Sequence, residues 1–175
     1  HDRTEALRLS DRIAVMKGGM IHQMGTPREI MNQPVSEFVA SFVGIETILN
    51  GMVVAKGAGT FTASISGQTI EAVGEVEVGE NVICFIKPES VVISRDSTRG
   101  STSERNVFSG TIEKIIPLGP YYKIHLDCGF PLVAYITGDS CRNLSLKVGK
   151  KITASFKATA VRVIGRTKGV WRDAR

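Results

Sequence analysis

The chain has 175 residues, 42% of them hydrophobic and 22% charged, enough for one medium domain or two small ones with modest cores. No apolar run approaches the ~18 residues of a membrane span, and the first residues do not read as a signal peptide. The net charge of +5 is scattered rather than blocked and only 6% of residues are aromatic, which disfavours a base-stacking nucleic-acid platform.

Residues His1 to Ile13 suit a short helix, with Ala6, Leu7, Leu9 and Ile13 forming its apolar face. Because the chain opens without Met inside that helical pattern, it reads as a piece of a longer protein. Arg12–Met16 and Met20–Met24 read as strands joined at Lys17-Gly18-Gly19, a hairpin signal. Thr26-Pro27-Arg28-Glu29 is a capping box with proline at the first helical position and predicts a helix. A second helix starts at Ser36, carries Phe38, Val39 and Phe42 on one face, and stops at Gly44.

From Leu49 the pattern changes to short β runs at 50–54, 60–65, 68–72, 81–86 and 90–94. Residues 95–105 are polar and read as a linker. Tyr122–Asp127 and Ile152–Phe156 alternate as strands, and Thr137-Gly138-Asp139 reads as a turn. The second half repeats the first. Gly79–Ser94 aligns with Gly149–Ile164 at a constant offset of 70, and Asn50-Gly51-Met52-Val53 resembles Ser109-Gly110-Thr111-Ile112 at an offset of 59. Two copies of one β unit, the second with an insertion, predict a mainly β fold of tandem OB-like Greek-key barrels.

Cys84, Cys128 and Cys141 form no C-x-x-C pair, so structural zinc is not expected. Cys84 lies in the apolar run Val82–Ile86 and reads as a buried thiol in a reduced compartment. His22 and His125 have no partner at metal spacing, and no metal site is expected.

The pieces His1-Asp2-Arg3-Thr4-Glu5-Ala6, Ser10–Met16, Gly25–Ile30 and Phe38–Gly44 together resemble the end of an ABC transporter ATPase domain. The resemblance implies that residues 1–44 are a remnant of that domain, with His1 at the position of the switch histidine that senses the γ-phosphate of ATP. The chain holds no G-x-x-x-x-G-K-[ST] loop, so no phosphoryl transfer and no cofactor are expected within it. ATP and magnesium would belong to the parent ATPase.

Ser103–Ile164 carries a second resemblance. Thr102-Ser103-Glu104-Arg105-Asn106, Thr137-Gly138-Asp139-Ser140 and Phe156-Lys157-Ala158-Thr159-Ala160 are similar to the motifs of molybdate-binding Mop or TOBE-type domains. It implies a first TOBE-like β unit at 45–98, a Mop-like unit at 99–166 and a tail at 167–175. It also implies an oxyanion site drawn from Ser103, Arg105, Asn106, Thr137, Ser140, Lys157 and Ala158. Molybdate offers only acceptors, so hydroxyls, backbone N–H groups and cations are the chemistry it needs. The family pattern departs at Glu104, where alanine is usual and where an inward carboxylate would oppose a dianion.

Each piece also has a plain reading. Ser103 and Arg105 would close a linker, Thr137 and Ser140 would form a turn, and Lys157 would guard a strand edge. Lys87, the repeat equivalent of Lys157, precedes Pro88-Glu89 and is read as structural.

The joint reading is a C-terminal regulatory domain of an importer ATPase, located in the cytoplasm at the inner membrane face. Its expected partners are molybdate or tungstate, a second copy of itself, and a permease subunit reached through the parent ATPase, with no nucleic acid. The alternatives are a structural or dimerisation TOBE module of an importer for sugar, polyamine or iron and, more remotely, an OB-type nucleic-acid binder.

Overall fold

A computed structural model of the chain describes residues 7–95 and 103–166. The chain divides into two compact units, His1–Glu46 and Thr47–Arg175. His1, the expected switch residue, lies outside the described residues, as does most of the 95–105 linker.

In the first unit residues 7–9 are helical, and β1 (Ile13–Lys17) pairs antiparallel with β2 (Met20–Gly25). Gly18 and Gly19 turn the hairpin at φ +59° and +80°, a left-handed pair that glycine supplies without a Cβ clash. The Pro27–Asn32 helix begins on the expected capping box: the Glu29 amide donates to Thr26 Oγ1 at 3.3 Å, and the Thr26 amide donates to Glu29 Oε2 at 2.7 Å. Those bonds from Thr26 hold the Glu29 carboxyl below its ordinary pKa. The Glu37–Phe42 helix is capped by Ser36, and Ile13, Val15, Ile30 and Val39 form the unit's small core.

Among the described residues the second unit is β throughout apart from one helix and two short 3-10 turns. Its first repeat runs β3 (Thr47–Lys56), β4 (Thr60–Ile65), β5 (Gln68–Val73), β6 (Asn81–Ile86), a 3-10 turn Pro88–Ser90, and β7 (Val92–Ser94). The second runs β8 (Asn106–Leu118), β9 (Tyr121–Asp127), β10 (Pro131–Thr137), a helix Gly138–Asn143, β11 (Lys151–Phe156), a 3-10 turn Ala158–Ala160, and β12 (Val161–Arg166). The mainly β expectation and the internal repeat are both met.

The last strands are exchanged. The two five-stranded sheets have the orders β12-β6-β3-β4-β5 and β10-β9-β8-β11-β7. Each repeat therefore contributes four strands to its own sheet and sends its final strand to the other. One apolar core runs through both sheets, with Phe61, Phe85, Phe156, Ile86, Ile124 and Leu126 among its fully buried side chains.

The repeat extends to backbone detail. Gly79 N donates to Val53 O, and Gly149 N to Ile112 O, each at 2.8 Å. β3 carries a bulge between Val53 and Ala55, and β8 carries one between Ile112 and Lys114. Bulges sharpen strand twist, which lets a long strand curl with its sheet. Two junctions tie the repeats together in matching ways. Thr47, first residue of β3, accepts at Oγ1 from the Val133 amide of β10 at 3.0 Å. Asn106, first residue of β8, bonds both the N–H and the C=O of Glu71 on β5 at 2.8 and 2.9 Å. Both side chains belong to residues only 2% exposed.

Candidate functional site

The end of β8 and the end of β11 meet at the register pair Asn106 and Phe156. Arg105 and Lys157 flank that pair, both exposed, and Ser103 is exposed two residues before Arg105. Ala158 is 7% exposed and opens the 3-10 turn, where the Lys157 backbone is extended and its side chain makes no capping bond. Two cationic side chains and a hydroxyl thus gather at one corner of the sheet, beside β5 of the other repeat. Such a corner can supply charge-assisted donors to an anion.

Two features of this corner were not legible in the motifs. The Glu104 carboxylate is half-buried and accepts from Ser155 Oγ at 3.0 Å, and Ser155 itself faces Val107 in the β8–β11 register. Ser155 was missed as a neighbour of the site, and only that strand register could have found it. Asn106 spends its side-chain amide on Glu71, so Arg105, Lys157 and Ser103 are the predicted residues whose polar side chains remain exposed at this corner.

Thr137 and Ser140 lie elsewhere. Thr137 pairs with Tyr121, which pairs with Leu118 at the far end of β8 from Asn106. The sequence pattern pointed to a turn at Thr137-Gly138-Asp139. The chain instead starts the Gly138–Asn143 helix there, because Thr137 Oγ1 accepts the Ser140 amide at 3.2 Å and donates to Ser140 Oγ at 3.0 Å, a helix N-cap. Asp139 and Arg142 form an exposed ion pair on that helix. Its C-terminal carbonyls receive Arg95 (at Asn143) and Lys150, whose Nζ donates to Leu144 O at 2.6 Å and Ser145 O at 3.1 Å.

The strand exchange also redistributes the two lysine turns. The 3-10 turn after Lys157 packs against β5, whereas the one after Lys87 packs against β10, the strand that ends in Thr137. Among the described residues no group of three His, Cys, Asp or Glu side chains is placed to hold a metal, and no helix is long and apolar enough to cross a membrane.

Residues 102–163 match the TOBE domain family. Over 165 residues, 93% of its length, the chain is 37% identical to the molybdate/tungstate import ATP-binding protein WtpC of Pyrococcus horikoshii. It is 38% identical over 134 residues, 74% of its length, to the spermidine/putrescine import ATP-binding protein PotA of Mesorhizobium japonicum. The chain spans less than half of these relatives, 45% and 35% of their lengths. The fold resembles that of the cytoplasmic molybdate-binding protein ModG, at a TM-score of 0.60 and 24% identity, over 69% of this chain and 96% of that one.

Proposed function

We propose that this chain is the C-terminal regulatory part of an ABC importer's ATP-binding subunit, and that its β unit binds a tetrahedral oxyanion, molybdate or tungstate. The observation that carries the reading is the pairing of Arg105 and Lys157 around the last register pair of β8 and β11. Similarity to molybdate/tungstate importer subunits over nearly the whole chain supports it.

A few charge-assisted bonds, each contributing about 1.5–3 kcal/mol, suffice for micromolar affinity even after the cost of ordering the donors. Ser103, Arg105, Lys157 and Ala158 form one half of the site, with Asn106 anchoring it to β5 through Glu71. Thr137 and Ser140, at the far end of β8, come from a second copy, so that the anion bridges two chains. Bridging would favour an arrangement of the parent in which its ATPase domains cannot close, a feedback coupling between distinct sites. In that parent, ATP and magnesium bind the ATPase core, a permease is the membrane partner, and the subunit works on the cytoplasmic face.

A second reading keeps the transporter role and drops the anion: the β unit serves subunit contacts in an importer of another substrate. The Glu104–Ser155 bond, which sets a carboxylate beside the cations, favours it, as does the similarity to a spermidine/putrescine importer subunit. Thermal denaturation with and without molybdate separates the two. A ligand that binds only the folded chain raises the midpoint with concentration. A midpoint that ignores saturating molybdate and tungstate leaves the contact role alone.

A further inference from the structure

The two repeats carry the same turn with opposite charge. Glu77-Val78-Gly79-Glu80 leads into β6 and Lys147-Val148-Gly149-Lys150 leads into β11. Both close by a bond from the fourth residue to the first, Glu80 N to Glu77 O at 3.0 Å and Lys150 N to Lys147 O at 3.1 Å. Both place glycine third at left-handed φ, +87° and +82°, as a type II turn requires. The second residue of each is a valine held out in solvent, Val78 at 59% and Val148 at 62% exposure. Around the first turn stand Glu75, Glu77 and Glu80; among the described side chains Lys56 offsets them, its Nζ 2.7 Å from Glu77 Oε1. Around the second stand Lys147, Lys150 and Lys151, while the Asp139–Arg142 ion pair is neutral in sum and the charges of Glu113 and Lys114 at the β8 bulge cancel.

An exposed valine with glutamates in and beside its turn, and another with lysines in and beside the pseudo-equivalent turn, are surfaces of opposite charge. We infer that the acidic Val78 turn of one copy docks on the basic Val148 turn of another. Two such contacts made reciprocally close a two-fold pair, and one made singly runs head to tail into a ring or an open chain. Opposite potentials steer and register such a contact, and the two valines supply its apolar centre. This contact stands independently of any bound anion.

Sedimentation of the 175-residue chain across a concentration series tests it. At low ionic strength the weight-average mass rises with concentration, and added salt returns it toward monomer, because exposed charges are screened over about 10 Å at 0.1 M. Glu75→Lys with Glu77→Lys gives a chain with two basic turns, and Lys147→Glu with Lys151→Glu one whose two turns are both acidic on balance. Each alone fails to self-associate, and an equimolar mixture associates again. Circular dichroism checks that both fold; if either does not, the single changes Glu75→Lys and Lys151→Glu, which neutralise or weaken one turn, each lower the wild-type association instead. A wild-type mass independent of concentration, self-association that survives both reversals, or variants that do not recombine on mixing would overturn the inference.

Discussion

The Glu104 carboxylate accepts the Ser155 hydroxyl at 3.0 Å, and Glu104 lies one residue before Arg105 as Ser155 lies two before Lys157. That bond sets an anionic group among the cations that a dianion would use. Replacing Glu104 with alanine removes the like charge and frees Ser155 Oγ to donate. The expected result is tighter molybdate binding by about 1 kcal/mol, roughly fivefold in Kd, read by isothermal titration. Unchanged or weaker binding in Glu104→Ala would mean that the carboxylate is no obstacle.

Asn106 holds Glu71 by two bonds and Thr47 holds Val133 by one, at matching positions of the two repeats. Asn106→Ala strands a backbone donor and acceptor on β5, and should cost about 2–3 kcal/mol. Thr47→Val leaves a buried N–H unpaired, at about 1–2 kcal/mol. Urea denaturation with unchanged m-values measures both. Stability indifferent to Asn106→Ala, with anion binding lost, would instead make Asn106 chiefly a ligand.

Gly51 and Gly110 are equivalent points of close approach. A Cβ on Gly51 would sit 2.6 Å from Ile65 Cγ1 and 2.9 Å from the Ser64 carbonyl, and one on Gly110 would sit 2.6 Å from Cys128 Sγ. Alanine at either should destabilise by about 1–3 kcal/mol. Gly51→Ala should be the worse of the two, since a sheet carbonyl yields less than a side chain. Thermal melts of the pair check the order.

The thiols should react in sequence. Burial pushes Cys84 up to about 12, and burial with the Asp127 charge pushes Cys128 up to about 12, while Cys141 is partly exposed. A disulfide reagent at about pH 8 should therefore label Cys141 first and the other two only on unfolding. The same shifts set a pH dependence. The folded chain keeps Cys84 and Cys128 neutral above pH 9, where the unfolded chain ionises them, so their contribution is intact below pH 9 and is lost progressively from there to about 12. Stability that rises over that window would contradict the sign.

The elements were legible where their signals are local. The Thr26 capping box, the Gly18-Gly19 hairpin and the β runs fell where pattern put them, because a cap or an alternation is decided by neighbours in sequence. Thr137 was half legible: a threonine that caps a turn makes the same first bond as one that caps a helix, and the residues after it decide which of the two forms. The exchange of β7 and β12 was not legible. Alternation tells which face of a strand is buried, not which strand lies beside it, and both strands are equally apolar in either sheet. For the same reason the sequence grouped Thr137 and Ser140 with Lys157, although register sets them at opposite ends of β8, and it hid the 35-residue reach from Asn106 to Glu71.

Isothermal titration of the whole chain with molybdate, beside sulfate and with Lys157→Ala as control, tests the central claim most directly. Micromolar binding of molybdate is expected, one anion per chain with each anion shared between two chains, with its loss in Lys157→Ala and no loss of fold. Absence of heat with molybdate and tungstate alike, or binding that Lys157→Ala leaves untouched, would contradict the oxyanion role.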